Sequence, residues 1–149
     1  MKNQGEKLAL YLKEFQDCIV LLHTTREKEI AEIILSEGFI YESQLSHSTD
    51  RVSPNEPVEI VYFLFQRKEY GTYTIVIAIP RSTYEFYTRQ AMDRDISLEE
   101  ILSVEDPFLN DNDEYSYKLN PRHIAGYFNI LTGEFKHNPM FDRDFRSDR

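Results

Sequence analysis

The residues of this chain that could do chemistry are scattered, and the scatter itself excludes several chemistries. His23, His47, His123 and His137 are too far apart for a paired-histidine zinc helix, and Cys18, the single cysteine, offers neither a disulfide nor a thiolate cluster. Set beside Ile19 and Val20, Cys18 reads as a small buried apolar group. The acidic run from Asp106 to Glu114 lacks the glycine and the regular ligand spacing of a calcium loop, so it reads as solvated surface and no metal site is expected. Neither type of glycine-rich phosphate loop is present, nor a serine elbow, which removes kinase, P-loop and α/β-hydrolase chemistries. What remains is an ordered set of three: His23 closing an apolar run, Tyr62 inside a second one, and Glu114 opening an alternating segment. Taken singly, each has a structural reading as a hydrogen-bonded histidine, a core tyrosine and a solvated acid. Their order and local context make the functional case.

The elements that must position them follow from periodicity. Leu8, Tyr11, Leu12 and Phe15 recur at helical spacing and predict an amphipathic helix over 6–17. Cys18 to Leu22 is a short apolar run expected as a strand covered on both faces, which puts His23 at the strand end. Thr24 or Thr25 is placed to cap a following helix that buries Ile30, Ile33 and Ile34 and stops at Gly38. Tyr41 to Pro57 is polar and reads as one long loop. VEIVYFLF (58–65) and YTIVIAI (73–79, stopped by Pro80) read as strands. Arg81 to Asp95 fits neither period, Ser97 is placed to cap a short helix reaching Val104, and Glu105 to Glu114 is an expected loop. Tyr115 to Leu119 and Ile124 to Ile130 read as strands separated by a turn at Asn120 and Pro121, with a loose tail from about 137 to 149. The order predicts an α+β chain: a single domain over 1–149 with a split, mainly antiparallel β core flanked by short helices.

In this context the sequence resembles the ADP-ribosyltransferase superfamily, in its histidine, tyrosine and glutamate variant. LLHTT followed by ILSEGF, VYFLF, and EYSYKLNPRHIAG carry the likeness over roughly residues 19–128. Two departures stand out: Asn112 occupies the position two before Glu114, where the family has a second acidic residue, and VYFLF lacks the usual hydroxyl cluster. The resemblance implies an ADP-ribosyltransferase-like fold and nicotinamide adenine dinucleotide (NAD) as substrate. It implies catalytic roles for Glu114, His23 and Tyr62. Glu114 would stabilise the positive charge that develops on the ribose as the glycosidic bond breaks. His23 would hydrogen-bond the adenosine ribose, the backbone at Thr24 would hold the nicotinamide amide, and Tyr62 would stack on its ring. Thr25 and Arg26 complete the implied dinucleotide site, Arg26 toward the pyrophosphate.

The formal charge of −9, from 26 acidic and 17 basic residues, opposes binding to polyanions and anionic membranes. With the lack of an arginine set for phosphate, it disfavours a related RNA 2′-phosphotransferase. The expected partner is a macromolecular acceptor, a protein. The start of the chain has no signal-peptide pattern and no apolar run approaches the roughly 20 residues of a membrane span, so a cytoplasmic, acidic protein is expected. A toxin, an effector and a housekeeping enzyme would share these features. The alternative to an enzyme is a non-catalytic module of the same fold that binds a protein partner or a nucleotide-like ligand through its acidic, tyrosine-rich surface.

Overall fold

The computed structural model describes residues 4–41, 49–52, 71–94, 108–109 and 115–143. The strands 58–65 and helix 98–104 expected from the sequence lie outside these, as do Tyr62 and Glu114. Among the described residues the chain forms an antiparallel α+β arrangement. The elements are α1 (Gln4–Leu12, continued by a 3-10 turn Lys13–Phe15), β1 (Cys18–Thr25), α2 (Lys28–Glu37), β2 (Phe39–Tyr41), β3 (Thr49–Val52) and β4 (Tyr73–Pro80). They are followed by α3 (Arg81–Arg94), β5 (Phe108–Leu109), β6 (Tyr115–Leu119), a 3-10 turn Pro121–His123, β7 (Ile124–Asn129) and β8 (Phe135–His137). One sheet runs β3-β1-β4-β7-β8 and a smaller one β2-β6-β5. Among the described residues no helix is long and apolar enough to cross a membrane.

The larger sheet is buried on both faces, as its apolar strands require. On one face Leu8, Ala9, Leu12 and Phe15 pack on Cys18, Val20, Leu22, Val76, Ala78, Ala125 and Phe128. Burying Leu8, Leu12 and Phe15 at about 2 kcal/mol each contributes on the order of 6 kcal/mol to docking this helix. On the other face Ala31, Ile34 and Leu35 pack on Ile75, Ile77, Ile79, Ile124 and Tyr127, and Leu119 of β6 joins them. A register shift between Val76 and Ile77 pairs Val76 with Gly126 but Ile77 with Ile124. The extra residue, Ala125, lets Ile124 and Tyr127 face the same core although they are three apart, which an unbroken strand forbids.

Several expectations are corrected. β1 runs past His23 to Thr25, because both threonines are β-branched and pair with Thr74 and Tyr73. The cap position of α2 is therefore Glu27, whose side chain makes no capping bond, and neither Thr24 nor Thr25 caps the helix. Gly38 does end α2, at φ 101°, with its N–H donating to the Ile34 carbonyl. Ile30 and Ile33 are 43% and 50% exposed, and the small Ala31 takes the buried position instead, letting the helix approach the sheet closely. The expected loop over 41–57 contains β3, which pairs with β1 from Val20–Val52 to His23–Thr49. The expected tail is anchored as far as Arg143. The Asn138 amide donates to the carbonyls of Leu35 (2.9 Å), Ile124 (3.0 Å) and Pro121 (3.3 Å), and Arg143 pairs with Asp17 at 2.7 Å.

Candidate functional site

Pairing register decides which side chains share a face. His23 lies opposite Ile75, Ile75 opposite Tyr127, and Tyr127 opposite Lys136, so these four form one row across β1, β4, β7 and β8. The next row holds Thr25, Tyr73 and Asn129, extended to Glu134, whose carbonyl accepts the Asn129 N–H at 2.8 Å. Both rows lie on the α2 side of the sheet, since Ile75 and Tyr127 belong to the cluster under that helix. His23 is separated from Tyr127 by two strand spacings, on the order of 10 Å.

Thr24 alternates to the opposite face, where its hydroxyl meets that of the buried Thr74 at 3.4 Å. The structure thus puts His23 and Thr25 together on one face and directs the Thr24 side chain away from them. Arg26 follows the strand as an exposed residue. The Thr25–Arg26 peptide is closely approached by Gly71: a Cβ there would collide with the Thr25 carbonyl and the Arg26 nitrogen, so only glycine lets the start of β4 lie against the end of β1.

At the other end of the two rows, beside the first turns of α2, lies a cleft of about 250 Å³ lined by Lys28, Tyr73, Tyr127, Asn129, Glu134, Phe135 and Lys136. The rings of Tyr73 and Tyr127 stand edge to face at 5.5 Å and 90°. The Tyr127 hydroxyl donates to Glu32 Oε1 at 2.9 Å, and Lys136 Nζ donates to both Glu32 oxygens at 2.9 and 3.1 Å. The lysine first, then the tyrosine hydroxyl, hold the Glu32 carboxyl below its ordinary range. Burial, reinforced by the Glu32 carboxylate, pushes the Tyr127 hydroxyl up to about 12, so it stays protonated and serves as a donor.

No local motif in the sequence marks the cleft residues. Tyr73, Tyr127 and Lys136 become neighbours only through the register of β4, β7 and β8, and that register is set by distant pairing and the bulge at Ala125. No protein-family model, no curated protein and no solved structure matches this chain.

Proposed function

We propose that this chain is an NAD-dependent ADP-ribosyltransferase that modifies a macromolecular target, with an ADP-ribosyltransferase-like fold. The observation that supports the reading best is the side of the sheet on which His23 stands. It shares the α2 face with Thr25, so one strand end presents the histidine and the neighbouring hydroxyl together. In this reading His23 of β1 and Glu114, which precedes β6 in the sequence, act on one ligand. An antiparallel α+β framework, a helix after the histidine strand ended by Gly38, and an alternating strand after the glutamate agree with this arrangement.

In this mechanism the carboxylate of Glu114 faces the ribose as the bond to nicotinamide breaks, and stabilises the cationic sugar more than the ground state. His23, fixed inside a paired strand, holds the adenosine ribose, and the Thr24 backbone holds the nicotinamide amide. Tyr62 stacks on the departing ring, Arg26 meets the pyrophosphate, and Thr25 lines the site beside His23. The acceptor attacks the sugar as nicotinamide leaves, one bond to the anomeric carbon replacing another.

Isothermal calorimetry with NAD tests the reading. Saturable binding that His23→Ala weakens by about tenfold, the order of one lost hydrogen bond, supports it. Absence of binding to the intact chain refutes it. Binding that neither His23→Ala nor Glu114→Gln alters, with no turnover, identifies the non-catalytic module instead.

A further inference from the structure

The cleft at the far end of the two rows is not required by the proposed transferase chemistry, yet its lining is specific. Three charged side chains line it, Lys28, Glu134 and Lys136. Lys136 is paired with Glu32, and Lys28 lies one helical turn from Glu32, so two ammonium groups share a single carboxylate on the helix side. Glu134, in the turn after β7 and two residues before Lys136, is exposed and makes no ion pair among the described residues. Lys28 on α2 and Lys136 on β8 give the cleft two positive groups and Glu134, just before β8, one negative group, beside the two tyrosine rings. Its volume of about 250 Å³ equals that of about eight waters in the liquid, room for one small molecule.

We propose that this cleft binds a free α-amino acid with an apolar side chain. The ligand carboxylate would meet Lys28 and Lys136, its ammonium Glu134, and its side chain the rings of Tyr73 and Tyr127. A zwitterion fits better than a simple anion, because a chain of net charge −9 repels anions while exerting no net force on a neutral dipolar ligand. It fits better than a simple cation, because two lysines line the same space. The paired Glu32 fixes Lys136 and Tyr127 in place before the ligand arrives, which reduces the ordering cost of binding. A contact set of this size corresponds to a millimolar dissociation constant.

The test is an NMR titration of the intact, isotopically labelled chain with L-leucine, N-acetyl-L-leucine and L-leucinamide. The expected result is a saturable shift of the Tyr73 and Asn129 amides by leucine, with each blocked analogue binding about tenfold more weakly for want of one charge. Glu134→Gln is expected to weaken leucine by about the same factor while leaving N-acetyl-leucine unchanged. Glu134 is exposed, so this variant retains the fold. The absence of a saturable shift with leucine, equal binding of all three compounds, or leucine binding indifferent to Glu134→Gln would each overturn the proposal. Because His23 and Glu114 take no part, the outcome is independent of NAD binding.

Discussion

Asn138 ties together three segments that its sequence neighbourhood gives no reason to connect, and replacing it tests that role directly. Its buried side-chain amide donates to Leu35 in the last turns of α2, to Pro121 in the 3-10 turn and to Ile124 at the start of β7, while its carbonyl accepts the Met140 N–H at 3.1 Å. The Leu35 carbonyl belongs to the end of a helix, where carbonyls have no intrahelical donor and need an outside partner. In Asn138→Ala the Leu35 and Ile124 carbonyls lose short bonds inside a buried site. At roughly 1–2 kcal/mol for each buried acceptor left without its donor, the loss is about 3 kcal/mol, a large share of a typical domain's stability. Asn138→Asp keeps the shape but turns a donor into a charged acceptor facing three carbonyls, and is expected to cost more than alanine at about pH 7. The introduced carboxyl should then titrate above its ordinary range, and part of the loss should return on acidification as its O–H becomes a donor. Urea denaturation of the three proteins at two pH values measures this. An alanine variant within about 0.5 kcal/mol of the parent, or an aspartate variant no worse than alanine at neutral pH, refutes the assigned role.

Three further outcomes are expected. His123 is 1% exposed, and burial first, then the neighbouring Arg122 charge, lowers its pKa from 6.5 to about 4, with Asp142 opposing. The unfolded chain takes up this proton and the folded chain resists it, so the contribution is complete above about pH 6.5 and is lost as pH falls toward 4, by at most about 3 kcal/mol; stability profiles of the parent and His123→Leu should diverge in that window and run parallel above it. Gly71→Ala forces a methyl group against the Thr25–Arg26 peptide and should cost about 1–3 kcal/mol in thermal or urea unfolding, with weaker NAD binding through the displaced end of β1. Leu12→Ala opens a cavity between α1 and the sheet and should cost about 2–5 kcal/mol by denaturant titration.

How legible the structure was in the sequence depends on how local each feature is. The amphipathic α1, the uninterrupted β4 ended by Pro80, and the alternating β6 carry their periods within a few residues and were readable. β3 was not, because Thr49–Val52 has neither an apolar run nor a clean alternation and is a strand only by pairing with β1. α3 was ambiguous because Tyr84 and Phe86 are half-buried against a core shared with distant strands, so no single face is apolar. In α2 Ile30 and Ile33 carry the stronger hydrophobic signal, whereas close helix packing buries the smaller Ala31. Gly126 inside β7 was the available sign of the bulge: it adopts φ 156°, and a Cβ there would strike the Lys136 carbonyl and the Phe135 ring. The His23 row needed the register of four strands, which no short motif encodes.

Release of nicotinamide from NAD separates a working transferase from a binding module. The parent chain, supplied with NAD and a protein acceptor mixture, is expected to release nicotinamide and to attach ADP-ribose to protein. Glu114→Gln is expected to bind NAD as the parent does while its release falls by a factor on the order of a hundred or more, as for loss of a charge-stabilising group that acts in the transition state. Release by Glu114→Gln at the parental rate would exclude Glu114 as the catalytic carboxylate.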